Sequence, residues 1–244
     1  EGGVEIVVEA LSTRMVQKSH QVTCYNRRGH HVSGAQFDTQ RLTEFEGVRL
    51  RSVWTLDKKG LAAMTSSLSA AVLCAFSDAD VVHIHAEGPA FMCWMPRLFG
   101  KRVVVTVHGL DWQREKWKQG FASKYIHAGE KIAVKLAHEI IVLSQNTKDY
   151  FQDTYGRKTV FIPNGVNKPE IREAREIKDR FGLEKDEYFL FLGRLVPEKG
   201  VHYLVDAFLQ TKTDKKLVIA GGADPRCTGY YQELRKLAGS DARI

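Results

Sequence analysis

Short apolar, β-branched runs recur along this chain, and the stretches between them repeat with a period near 3.6 residues. The runs at residues His20–Tyr25, Val48–Val53, Asp80–His85, Arg102–His108, Glu139–Ser144, Thr159–Pro163, Tyr188–Gly193 and Lys216–Gly221 read as buried strands. Between them, Val4, Val7, Val8, Leu11 and Met15 share one helical face. Trp117, Phe121, Tyr125, Ala128, Ile132 and Leu136 share a second, and Val201, Leu204, Val205 and Phe208 a third. Near-continuous apolar strands alternating with amphipathic helices specify a doubly wound parallel α/β sheet.

The alternation is interrupted once, at Ile162-Pro163-Asn164-Gly165-Val166-Asn167-Lys168-Pro169. Proline removes a ladder donor, Asn-Gly favours a turn, and the second proline restricts the residue before it. A charged helix over Glu170–Phe181, stopped by Gly182, and a fresh strand–helix–strand series follow. Two α/β domains result, residues 1–167 and 168–244. The chain opens on Gly2-Gly3 and a helix, and it stops at Asp241-Ala242-Arg243-Ile244 after another helix. Two clear strands are too few to bury both faces of a parallel sheet, so the second domain reads as partial and the chain as a piece of a longer protein.

Composition narrows the classes. With 43% hydrophobic and 27% charged residues, a packed core is expected rather than a disordered or fibrous chain. No uncharged run approaches the ~18 residues a spanning helix needs. Cys24, Cys74, Cys93 and Cys227 form no C-x-x-C pair, which argues against a zinc ribbon or disulfide scaffold and for a reducing compartment. The 36 Lys and Arg against 29 Asp and Glu leave +7, dispersed without a basic block. An anionic substrate held by a few cations fits that pattern better than a nucleic-acid stripe.

The loop Gly193-Arg194-Leu195-Val196-Pro197-Glu198-Lys199-Gly200 follows a strand and opens a helix. Ligands of open α/β sheets bind at the carboxyl ends of strands, where helix N-termini offer free N–H donors. Arg194 supplies a fork for phosphate oxygens and Lys199 a mobile charge, a pair suited to a diphosphate. The alternative is a solvated turn whose long side chains cover apolar surface. Gly2-Gly3 before the first helix and Gly221-Gly222 after a strand each read as a close approach to a ligand or as a simple turn. No G-x-G-x-x-G or P-loop occurs. His108, at the end of Val103–Val107, points into the expected crevice or serves as a core histidine. His83 and His85 alternate on one strand without a third ligand at usable spacing for zinc. Asp78-Ala79-Asp80 precedes a strand and reads as a helix end rather than a metal motif. Trp112 to Leu136 carries Arg114, Lys116, Lys118, Lys124, Lys131 and Lys135, either a core helix with a basic outer face or a segment that rests on an anionic membrane or flanks an acceptor groove.

Gly-Gly-Val-Glu at 2–5, Val-Thr-Val-His-Gly at 105–109, Ile-Pro-Asn-Gly-Val at 162–166, the 193–200 loop and Gly-Gly-Ala-Asp at 221–224 together resemble one family, along the whole chain. It is the retaining glycosyltransferase family 4 (glycosyl transferase group 1) with the GT-B fold, two Rossmann-like domains facing a cleft. The resemblance implies a nucleotide-diphosphate sugar as donor, a saccharide or lipid-linked acceptor, retention, and no metal or cofactor. It implies that Arg194 and Lys199 hold the donor diphosphate, and that Gly2 and Gly3 approach it from the other domain. Gly221 and Gly222 lie in the family's donor-side motif, and His108 lies beside the transferred sugar. Gly-Gly-Val-Glu and Val-His-Gly-Leu-Asp-Trp-Gln-Arg look most like bacterial enzymes of surface-polysaccharide assembly. Such enzymes work in the cytoplasm or peripherally at the inner face of the cell membrane.

Two departures qualify the resemblance. The family's first strand and its E-x7-E segment have no counterpart in the 244 residues, which predicts that this chain alone is inactive or nearly so. The incomplete second sheet predicts an open edge, hence a homodimer or strand exchange. A non-catalytic nucleotide- or anion-binding module and a GT-B nucleotide-sugar epimerase are the competing readings, and a nucleic-acid binder, marked by steep salt dependence, is a third.

Overall fold

The computed structural model describes residues 3–27, 42–56, 58, 61–113, 121–222 and 228–244, in two compact units, Glu1–Val166 and Asn167–Ile244. The first unit begins with helix α1 (Gly3–Gln17) and a small sheet of β1 (Thr23–Arg27), β2 (Glu44–Phe45) and β3 (Val48–Val53), in the order β1-β3-β2. β1 runs parallel to β3; β2 and β3 form a hairpin in which Phe45 faces Val48. Its two-residue turn, Glu46-Gly47, has positive φ at both positions (46° and 79°), the mirror-image turn whose twist matches that of the strands.

Helix α2 (Leu61–Ala75) packs on β1 and β3 and also on the short helices α3 (Glu87–Ala90) and α4 (Trp94–Leu98) of the larger sheet. That sheet is fully parallel, β4 (Val81–His85), β5 (Arg102–Val107), β6 (Glu139–Val142) and β7 (Val160–Phe161), in the order β4-β5-β6-β7. Val103, Val105, Val107, Ile140 and Val142 are buried against Ala90 of α3, Cys93 just before α4, Ala133 of helix α5 (Phe121–Leu136), Ala137 just after it, and Phe151 of helix α6 (Gln145–Tyr155). α6 starts where the Ser144 hydroxyl accepts the Thr147 amide and ends at left-handed Gly156.

The second unit contains α7 (Arg175–Phe181), parallel β8 (Tyr188–Leu192) and β9 (Lys216–Ala220), α8 (Val201–Leu209) and α9 (Thr228–Ala238). Its core joins Leu195, Val201, Val205, Phe208, Leu217, Tyr230 and Leu234. β8 was expected to be buried; Leu190 and Leu192, on the face opposite Phe191, are instead exposed, because α8 and α9 pack on the side of Phe191.

Three helix expectations are corrected. In α1, Leu11 and Met15 are exposed while Ser12 and Thr13 are buried, because both hydroxyls donate to the Glu9 carbonyl within the helix. In α5 the buried stripe is Ile126, Gly129, Glu130 and Ala133, one step round from the apolar face read in sequence; Trp117 lies outside the described residues. The charged helix begins at Arg175, not Glu170, and ends at Gly182 as expected. Residues 170–174 stay irregular: Arg172 and Arg175 bond the carboxylates two residues back, Glu170 and Glu173, rather than at helical i,i+4 spacing, and Ile171 has nothing to pack on.

Candidate functional site

In the second unit, β8 ends where the Gly193 amide donates to the Ala220 carbonyl and the Leu195 amide to the Gly222 carbonyl (3.0 and 3.2 Å). These bonds carry the pairing past both strands, so Arg194 lies beside Gly221 and Gly222 at their carboxyl ends. Leu195 and Val196 are buried, which pins the loop. A single 3-10 turn, Pro197–Lys199, and left-handed Gly200 then lead into α8. Arg194 and Lys199 flank the pinned segment, exposed, and neither side chain bonds to another described residue. The segment is thus anchored by apolar side chains and displays two cations without a partner among the described residues.

Gly221 is required by contact rather than by φ. A Cβ there would stand 1.7 Å from the Gly193 carbonyl oxygen, whereas at Gly222 it would meet open space. We expect Gly221→Ala to force β8 and β9 apart at the site, at a cost of about 2 kcal/mol, while Gly222→Ala leaves the thermal midpoint unchanged. Equal midpoints for the two variants would refute the close packing.

In the first unit, Gly2 lies outside the described residues. Gly3 opens α1, and a Cβ there would meet open space. His108 leaves β5 beside the end of β4, and its Nε2 lies 3.1 Å from Nδ1 of His85. His85 stacks on His83 at 4.3 Å, on the shared face that strand alternation implies, and Nε2 of His83 meets the Thr106 hydroxyl at 2.7 Å. Burial, with His83 and His108 adding to it, pushes the His85 ring down to about 3; burial, then His108, lowers His83. Both rings are therefore neutral hydrogen-bonding groups at pH 7. No three His, Cys, Asp or Glu side chains among the described residues converge as metal ligands. Gly109, with φ of 144°, turns the chain after His108 into Leu110 and Asp111.

Sequence reasoning overlooked two residues beneath this turn. Ala86, after β4, adopts φ of 76° and ψ of 158°, a backbone region nearly confined to glycine and costing roughly 1–3 kcal/mol. The sharp turn sends Glu87 into the interior, 1% exposed, where its Oε2 accepts the Asp111 amide at 2.8 Å. Glu130 of α5 is fully buried near it. Its Oε1 accepts the hydroxyls of Tyr150 (2.9 Å) and Tyr155, and its Oε2 accepts the Trp112 indole N–H at 3.0 Å. A signal existed in sequence: Ile126, Gly129, Ala133 and Ala137 set a helical stripe in which position 130 belongs, and an acid there must be buried.

The structure thus gathers Arg194, Gly221 and Gly222 at one strand edge and His108 with His85 at another. It is similar along 100% of its length to HepE (Alr3699) of Anabaena, crystallised with UDP and glucose, at a TM-score of 0.73 and 18% identity, and covers 65% of that chain. The fold is GT-B, that of a large class of glycosyltransferases. Residues 1–168 match Glycosyltransferase Family 4 and residues 173–240 match Glycosyl transferases group 1, and the chain belongs to glycosyltransferase family 4. An uncharacterized glycosyltransferase of Methanocaldococcus jannaschii, MJ1607, is 24% identical across 96% of this chain and 62% of its own length. Phosphatidyl-myo-inositol mannosyltransferase of Mycobacterium leprae is 29% identical across 66% of this chain and 41% of its own length. The chain spans less than two thirds of each of these relatives.

Proposed function

We propose that the protein transfers a sugar from a nucleoside-diphosphate sugar to an acceptor with retention of anomeric configuration, and that Arg194 and Lys199 hold the diphosphate. The observation that carries this reading is the pinned loop with its two exposed cations at the carboxyl ends of β8 and β9. As the bond from the anomeric carbon to the diphosphate oxygen breaks, negative charge grows on the leaving group. The guanidinium fork and the ammonium neutralise it, with no metal ion called for. The acceptor hydroxyl attacks from the face the diphosphate leaves, and its proton passes to the departing phosphate oxygen. His108 borders the sugar, with its ring steadied by neutral His85. Gly2 and Gly3 give the backbone close access to the donor, as do Gly221 and Gly222 on their side.

The acceptor in this reading is lipid-linked, and the product a bacterial surface polysaccharide assembled at the cytoplasmic face of the membrane. The name of the Mycobacterium leprae relative, a mannosyltransferase of phosphatidyl-myo-inositol, supports a lipid acceptor. That HepE holds UDP and glucose supports a nucleotide-sugar donor. No helix among the described residues is long and apolar enough to cross a membrane. Contact with such an acceptor is taken to be peripheral in this reading.

The test offers the full-length protein UDP-, GDP- and dTDP-sugars with lipid-linked or soluble acceptors and follows release of nucleoside diphosphate. The expected result is release that depends on a lipid-linked acceptor, with a product whose anomeric configuration by NMR matches the donor. Epimerised sugar formed without acceptor, or transfer to soluble acceptors alone, would overturn the corresponding part.

A further inference from the structure

Two buried carboxyl groups meet beneath the His108–Asp111 turn, and the donors around them are unequally shared. Glu130 receives three, from Tyr150, Tyr155 and Trp112. Glu87 receives one, the Asp111 amide, on Oε2; its Oε1 is buried without a partner when both groups are taken as acceptors. Two adjacent buried carboxylates repel each other, and an acceptor without a donor is costly. One proton resolves both problems. Placed on Glu87 it makes a donor facing Glu130, whose oxygens already accept three bonds.

We propose that Glu87 and Glu130 are an acid–carboxylate pair sharing one proton, held on Glu87, and that this pair positions the His108–Asp111 turn. The turn is tied down twice, at the Asp111 amide by Glu87 and at the Trp112 indole by Glu130. Both ties depend on the two carboxyls remaining together in the interior, which the single proton permits. The positioning role rests on the reading that His108 borders the transferred sugar.

The surrounding groups agree with this arrangement. Burial, and then Glu130, push Glu87 up to about 9, with the nearby Asp111 charge adding to the rise. Burial raises Tyr150 to about 12 and raises Tyr155 further, so both remain donors throughout the neutral range. Among the described residues a basic group, His127, stacks on Trp112 and lies 3.9 Å from Oε1 of Glu130, open to solvent on one side. It does not lie between the two carboxyls in the bonding pattern. Its partners are Glu130 and the Tyr155 hydroxyl.

The sign of the pH effect follows. An unfolded glutamate ionises near 4.5, whereas Glu87 stays protonated in the fold up to about 9. Its contribution to stability is complete below pH 4.5 and is lost progressively as pH rises through that window. Glu87→Gln keeps both bonds, the amide N–H donating to Glu130 and the amide oxygen accepting from Asp111, and has no proton to lose.

The experiment uses the full-length protein as wild type, E87Q and E87L. Thermal midpoints are measured from pH 5 to 10, with amide exchange at Asp111 and, at each pH, the kcat and KM of sugar transfer. The midpoint of E87Q should gain on that of wild type between pH 5 and 9, by on the order of 10 °C, and level off above. Parallel curves would overturn the shared proton. In E87L, which fills the space without either bond, Asp111 exchange should rise at least tenfold and kcat fall about a hundredfold with the donor KM little changed. E87Q should restore both. Wild-type exchange at Asp111 in E87L would overturn the positioning role. Should E87L not fold, excess Asp111 exchange in wild type above pH 9, absent in E87Q, decides the same point. Were wild type to transfer no sugar, the transferase reading would fall while midpoints and exchange still judged the pair.

Discussion

In the proposed donor-binding reading, Arg194→Ala and Lys199→Ala should each lower kcat for sugar transfer by about 10²–10³, with the thermal midpoint within a degree or two of wild type. The rate loss is what removal of one preorganised donor from a developing oxyanion typically costs, roughly 3–4 kcal/mol. The expected midpoint follows from the structure: both side chains are exposed and neither bonds to a described residue, so their loss breaks no bond among the described residues. The apolar anchors of the loop, Leu195 and Val196, are untouched. Arg194→Lys should recover only part of the rate, since an ammonium cannot bond two phosphate oxygens in one plane. The double variant should lose less than the product of the two single losses, because both cations act on the same charge. The measurement is steady-state transfer by the full-length protein beside a thermal melt. Full activity in both single variants would remove the loop from the chemistry.

Much of the fold was legible because β5 and β6 are buried by neighbours on their faces. Val103 to Val107, with Thr106 the one polar member, and Ile140 to Val142 must then be almost continuously apolar, and such a run stands out in sequence. Stops enforced by backbone geometry were legible too: Gly182 caps α7 with the left-handed conformation that glycine adopts without strain. Helix α2 was harder, since its alanines and serines give little periodic contrast, and it packs on several elements at once. Among candidate site groups, Arg194 and Lys199 stood out through the glycine-bounded loop that holds them. Glu87 and Glu130 did not. A glutamate within a helical pattern normally marks the solvent face, and only the turn at Ala86 together with the tyrosines of α6 makes the interior hospitable to these two. The α5 stripe includes position 130, but the partners that accept it there come from separate elements, and nothing local announces Glu87.

Gly129→Ala should lower the stability of the first unit by on the order of 3–4 kcal/mol, and Gly88→Ala, at the same junction of α3 and α5, should be tolerated. In α5 alanine would ordinarily gain about 1 kcal/mol over glycine through helix propensity. Here that gain is overwhelmed. The added Cβ would stand 2.0 Å from the carbonyl oxygen of Glu87 and 3.1 Å from the Phe91 amide nitrogen, backbone atoms that no rotamer change can move. At Gly88 the nearest atoms are Cγ1 of Ile126 and Cε1 of Tyr125 at 3.9 and 4.0 Å, ordinary contact distances. Relief at position 129 requires α3 to withdraw from α5, and α3 carries Glu87. Withdrawal separates Glu87 from Glu130 and admits water to a pair that is stable only when closed, so a steric cost of about 1–3 kcal/mol is joined by loss of the buried bonds. For a chain of this size the midpoint should drop by roughly 10 °C. Exchange at the Asp111 amide should rise in the same variant, because the same movement takes away its acceptor. A midpoint for Gly129→Ala equal to that of Gly88→Ala would show that the two helices do not approach backbone to backbone. A lowered midpoint with unchanged Asp111 exchange would instead uncouple the helix contact from the turn that carries His108.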